Sequence, residues 1–212
     1  MTFAGWLVEL ERMTAPVILL EGMRALPERD RPRLTALGER LARRLPRAVF
    51  RTGNAPGSDE AFAAGVARVD ERRLQYVLPH TDHRGGTAHP RARRLALDEL
   101  PDDAVRALET ATAAASPEHA RLLERARRYP ELAIRAGYLL RDTLKVAGAP
   151  ERGFPPATGG VFYAHARDPL QGGTGHTLRV CRAAGLPAYI QRDWLPWLGF
   201  QEEGLLPFFA NG

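Results

Sequence analysis

The chain has 212 residues, 44% apolar and 26% charged, which is ordinary for a globular protein and enough to bury a sizeable core. No apolar run approaches the ~20 residues a bilayer crossing needs, and the single cysteine, Cys181, excludes an internal disulfide. The net charge is +5, but every basic residue except Lys145 is arginine, so arginine clusters such as Arg40, Arg43, Arg44 and Arg47 reflect composition as much as affinity for nucleic acid.

Phe3, Trp6, Leu7 and Leu10 fall at helical spacing and predict a short helix packed on the main body. Glu9 and Glu11 stand where a secretory signal would carry positive charge, so a cytoplasmic location with no membrane partner is expected. Val17-Ile18-Leu19-Leu20, after Pro16 and before Gly22, reads as a strand buried on both faces of a parallel sheet. An amphipathic helix follows over Arg33 to Leu45, then a strand over Ala48 to Thr52 and a glycine-rich turn, Gly53 to Asp59. Ser58 is the expected N-cap of the next helix, with Asp59 and Glu60 favoured by its positive end. Leu74 to Pro79 is a third strand. Strand, helix, strand, helix, strand is the pattern of a parallel, helix-covered sheet.

The stretch from His80 to Pro90 is polar and holds His80, Asp82, His83 and His89; their spacing matches no closed zinc pattern, and no metal site is expected. A helical insertion is expected at about 91–148, with Ser116-Pro117 starting one helix, Pro130 interrupting and Gly148 stopping it. The sheet resumes at Val161 to His165. A second glycine-rich turn, Leu170 to Thr177, opens directly into a helix carrying Leu178 and Cys181, and Ala188 to Gln191 is the last strand. The apolar tail, from Trp194 to Phe209, reads either as packed on the core or as a self-association surface, the latter giving a homodimer.

Two motifs carry a family resemblance. Gly53-Asn54-Ala55-Pro56-Gly57-Ser58-Asp59-Glu60-Ala61 resembles the G-x-A-x-G-x-D-x-A turn of the DNA-processing (DprA/Smf) proteins. Gly172-Gly173-Thr174-Gly175 resembles the P-G-G-x-G-T-x-x-E signature of the Lonely Guy phosphoribohydrolases. Both groups belong to the SLOG superfamily of Rossmann-like nucleotide-binding domains, and the similarity covers roughly 15–80 and 155–195. The resemblance implies an α/β, Rossmann-like parallel sheet with helices on both faces, a nucleotide-type ligand and no further cofactor. Two departures matter: His176 and Arg179 stand where the Lonely Guy signature has its threonine and glutamate, and Gln171 replaces its proline. That glutamate is implicated in the family's hydrolysis of an N-glycosidic bond, so binding is expected more than the same chemistry.

In an open parallel sheet the turns after the strands line one crevice. The expected ligand-binding set is therefore Gly22 and Arg24 after the first strand, Gly53, Asn54, Gly57, Ser58 and Asp59 after the second, and Gly172, Gly173, Thr174, Gly175, His176 and Thr177 after the penultimate one. Backbone N–H groups of the last turn would hold a phosphate, Arg24 would pair with it, and Asp59 would take a ribose hydroxyl or complement a helix dipole. His176 and Asp59 are the candidates for acid–base chemistry; His165 also flanks the crevice. Arg141 and Asp142 read as an intrahelical surface pair or as groups closing over the ligand. Three functions follow as expectations: nucleotide binding as a sensor or carrier, hydrolysis of a nucleoside 5′-monophosphate, and single-stranded DNA binding in DNA processing.

Overall fold

The computed structural model describes residues 1–199. Its centre is one all-parallel sheet of six strands: β1 (Val17–Gly22), β2 (Val49–Thr52), β3 (Leu74–Leu78), β4 (Arg93–Ala96), β5 (Gly159–Tyr163) and β6 (Ala188–Tyr189), in the spatial order β4-β3-β2-β1-β5-β6. The chain steps outward from β1 to β4, then crosses back to β5 on the other side of β1. Strand β1 pairs Ile18 with Phe50 on one side and with Gly159 on the other.

The continuous apolar run of β1 is explained by burial on both faces. Ile18 and Leu20 enter the cluster formed with helices α1 (Phe3–Arg12), α2 (Arg31–Arg44) and α3 (Ser58–Asp70). Leu19 points the other way, into a cluster with Val146, Phe162, Leu178 and Cys181. That opposite face is covered by α6 (Pro130–Ala147) and α7 (Gly172–Ala183), with α4 (Asp102–Ala115) and α5 (Ala120–Ala126) packed beside them over β3 and β4. The fold is Rossmann-like α/β.

Two local expectations are corrected. Arg93 to Ala96 lie inside the stretch expected as a helical insertion, yet they pair with Gln75 to Leu78 as a sheet strand. Arg93 and Arg94 are exposed at this edge, so the short strand lacks an apolar signature. Ser58 is the first residue of α3 rather than its cap; Gly57 occupies the cap with φ 84°, a backbone that favours glycine.

Short α8 (Gln191–Trp194) and a 3-10 turn, Pro196–Leu198, close the described chain. Trp194 and Leu195 are buried in the main core, and Trp197 packs edge-on against Phe3. Phe200, Leu205, Leu206, Phe208 and Phe209 lie outside the described residues. The arginine cluster of α2 stays at the surface and is engaged by the protein's own side chains: Arg43 pairs with Glu39 at 2.8 Å, Arg44 with Glu11 at 2.7 Å, and Arg40 stacks on Trp197. Among the described residues no helix is long and apolar enough to cross a membrane.

Candidate functional site

The direction of chain travel reverses between β1 and β5, and there the ends of neighbouring strands leave a crevice. A cavity of about 880 Å³ opens at this point, between Glu21 to Ala25 at and beyond the end of β1, Gln171 to Thr174 at the start of α7, and one face of α6. Its size is that of small-molecule sites.

The start of α7 supplies donors. Gly172 takes φ 65°, which turns the chain sharply into the helix, and the first α7 backbone bond back along the chain is from Gly175 to Gln171. The N–H groups of Gly172, Gly173 and Thr174 thus meet no acceptor among the described residues. Gly175 faces away from the cavity; a Cβ there would fall 1.9 Å from the Leu170 backbone, so this glycine serves the tight turn.

Around the cavity, most charges are matched. Arg179 donates to Leu170 O and Ser116 Oγ and pairs with Glu118. Arg24 lies 5.1 Å above the Tyr138 ring, and neither it nor Arg135 pairs with a carboxylate among the described residues. These two guanidiniums and the α7 N-terminus leave the wall electropositive.

The floor is the densest charge cluster of the site. Glu21, Arg141, Asp142 and Lys145 are 3%, 4%, 4% and 2% exposed. The Lys145 ammonium lies 2.6 Å from Glu21 Oε2 and 2.8 Å from Asp142 Oδ1, and Arg141 Nε lies 3.1 Å from Asp142 Oδ1. Burial pushes the Glu21 carboxyl up to about 7 against the pull of Lys145. Burial works in the same sense on Asp142, but Lys145 and Arg141 together hold it below the usual range. The two acids thus differ in protonation near neutral pH. Two further contacts fix the cluster: Arg141 Nη1 donates to Gly53 O at 2.8 Å, and buried Arg51 donates to Lys145 O at 2.8 Å, tying α6 to the sheet.

Several expected ligand groups are engaged by the protein itself. Asp59 accepts from the N–H groups of Gly22, Gly53 and Ala55 at 3.2, 3.0 and 3.2 Å, so its carboxylate clamps the turns after β1 and β2 together. Ser58 Oγ donates to Met23 O at 2.8 Å. Asn54 is buried in the left-handed conformation, donating to Arg84 O and Thr87 Oγ1. A Cβ on Gly53 would stand 1.5 Å from Arg141 Nη1, and one on Gly57 2.2 Å from Arg24 O. The turn after β2 therefore builds the crevice from behind, with only Ala55 and Asp59 on its lining.

His176 and Thr177 are likewise corrected. Both are fully buried: the His176 ring bonds Ser116 Oγ at 2.8 Å and Thr143 Oγ1 at 3.2 Å, and Thr177 Oγ1 donates to Gly173 O. Burial pushes His176 down to about 4, so it is neutral near pH 7 and locks α7 to α4 and α6. Cys181 is core, its thiol pushed up to about 12 by burial. Arg141 and Asp142 are no surface pair; they form the floor. His80 and His83 stack edge-on, His83 against Tyr138, and no three His, Cys, Asp or Glu side chains among the described residues stand where they could share a metal ion.

Glu21 and Lys145 were missed by sequence reasoning. A signal existed in each case: Glu21 directly follows the apolar run Val17 to Leu20, and Lys145 is the lone lysine of an arginine-rich chain. No family model matches the chain, and no curated protein matches it.

Proposed function

We propose that the crevice binds a nucleotide or nucleotide-derived ligand through its phosphate, the protein acting as a sensor or carrier. The observation that carries this reading is the α7 N-terminus, whose three unengaged N–H groups face the cavity beside Arg24 and Arg135. A phosphate seated there gains donors with no rearrangement of the backbone. The resemblance of both glycine-rich turns to SLOG domains supports the same ligand class, and a cytoplasmic location accords with it. Isothermal calorimetry against AMP, ADP-ribose, NAD and cyclic nucleotides is the test. Binding of at least one, weakened by R24A and R135A, is expected; no heat from any of them refutes the proposal.

One observation favours a second reading, hydrolysis of the N-glycosidic bond of a nucleoside 5′-monophosphate. Glu21 and Asp142 are carboxyl groups whose surroundings drive their proton affinities apart, the arrangement that assigns an acid and a base. In such a reaction Glu21 gives its proton to the departing base nitrogen as the C1′–N bond breaks. Water adds its hydroxyl to C1′ and passes its proton to Asp142, which releases it to solvent as solvent returns a proton to Glu21. Free base released from AMP by the wild type and not by E21Q supports this reading; heat of binding without release leaves the first.

A further inference from the structure

At its floor the cavity sets three buried acids, Glu21, Asp59 and Asp142, against two buried cations, Arg141 and Lys145. The three acids are not equally supported. Asp59 accepts from three backbone N–H groups, and Asp142 has Lys145 at 2.8 Å and Arg141 at 3.1 Å. Glu21 has least: its Oε2 shares the Lys145 ammonium with Asp142, and its Oε1 is buried with no hydrogen-bond partner among the described residues. The neighbouring elements add no further cation. Phe162 of β5 pairs beside Glu21, Cys181 of α7 faces it as a thiol, and the His176 ring beyond Asp142 is neutral. Arg51 of β2 is engaged by Gln75 and by the carbonyls of Lys145 and Pro155. Of the three acids, Glu21 is therefore the one whose charge a proton most readily relieves.

The phosphate seat lies against this floor. A Cβ on Gly173 would stand 3.1 Å from Asp142 Oδ2, and the Gly173 N–H is one of the unengaged donors of α7. A phosphate held there brings negative charge beside acids that water does not screen, and charges act on one another across such a medium without touching. The repulsion raises the proton affinity of the acid that can still accept a proton. Glu21 has a bare oxygen to take it, and can keep Lys145 on the other. Burial already lifts this carboxyl to about 7, so a modest further push is enough to protonate it above neutrality.

We propose that ligand binding at α7 is coupled to protonation of Glu21: the phosphate enters together with a proton drawn from solvent, and affinity falls as pH rises. The coupling rests on the phosphate-binding reading above and gives that site its regulation.

Calorimetry on the full chain at pH 7.5, with AMP, ADP-ribose, NAD and cyclic nucleotides in phosphate-free buffers of differing ionisation enthalpy, counts the protons taken up. At this pH the AMP phosphate is already doubly charged and absorbs almost none itself. For an upward shift of about one unit at Glu21, binding should draw in about half a proton, and affinity should fall about fivefold between pH 7 and 9. E21Q, its fold checked by circular dichroism, should bind with almost no proton uptake. His119 and His165 also line the cavity, so uptake that persists in folded E21Q belongs to them and overturns the proposal. Should E21Q fail to fold or to bind, H119Q/H165Q decides: uptake that remains supports Glu21, and uptake that disappears overturns it. Nucleotide binding by the wild type without uptake overturns the coupling and leaves phosphate binding intact. No binding of any of these compounds overturns both.

Discussion

Replacing Glu21 by glutamine should change how stability depends on pH. Glu21 is almost fully buried, and in the folded chain its carboxyl titrates at about 7 instead of 4.5. Between those values the folded protein holds a proton that the unfolded chain has released. The Glu21 contribution to stability therefore falls as pH rises through this window, by about 3 kcal/mol in all, and is level above it. Glutamine keeps the shape and has no proton to hold, so the stability of E21Q relative to wild type should rise by about 3 kcal/mol across the same window. Asp142 lies below the window, since its folded value is depressed beneath 3.8. His176 and His83 act in the opposite sense, their stability being lost as pH falls from 6.5 towards 4, but both proteins share them and they cancel in the difference. Urea denaturation at half-unit steps between pH 4.5 and 7, followed by the fluorescence of buried Trp6 and Trp194, measures that difference. A difference constant to within about 1 kcal/mol would refute the account of the floor.

Lys145→Met removes the ammonium shared by two buried carboxylates, so the variant should lose about 3–5 kcal/mol above pH 7 and less at acid pH, where Glu21 is neutral; urea denaturation at both ends of the range checks it. Asp59→Ala orphans the N–H groups of Gly22, Gly53 and Ala55 and should cost about 3 kcal/mol or more in the same assay, whereas a purely ligand-contacting Asp59 would leave stability unchanged. Gly53→Ala drives a methyl into the Arg141 guanidinium and should destabilise by about 1–3 kcal/mol, with weaker nucleotide binding measured by calorimetry. In an NMR titration the His176 ring should stay neutral on acidification through pH 6.5 and protonate only near 4; titration at an ordinary value would show that the ring is not sealed between Ser116 and Thr143.

Local pattern made the frame legible. Val17 to Leu20 is uniformly apolar because helices cover both faces of β1, and that environment leaves its mark on each residue in turn. Strand β4 escaped because an edge strand with exposed Arg93 and Arg94 has no such mark. The glycine-rich turns were legible for a related reason: a left-handed cap at Gly57 and a tight entry at Gly172 admit few other residues. Their position after strands was enough to place a crevice at the reversal of strand order.

The polar side chains were not legible in the same way. Asp59, Ser58 and His176 are ordinary ligand residues by type, and the sequence by itself determined only that they follow strands near one crevice. Tertiary structure decided which were already engaged, since the acceptor of Ser58 is Met23 on another turn and the partners of His176 are Ser116 and Thr143 on the helical layer. It also decided the floor, by laying the last turns of α6 across β1 so that Lys145 meets Glu21. Backbone conformation is chosen by neighbours along the chain, and sequence records it locally. Whether a carboxylate or an imidazole is free for a ligand depends on donors brought from distant segments, and folding alone brings them together.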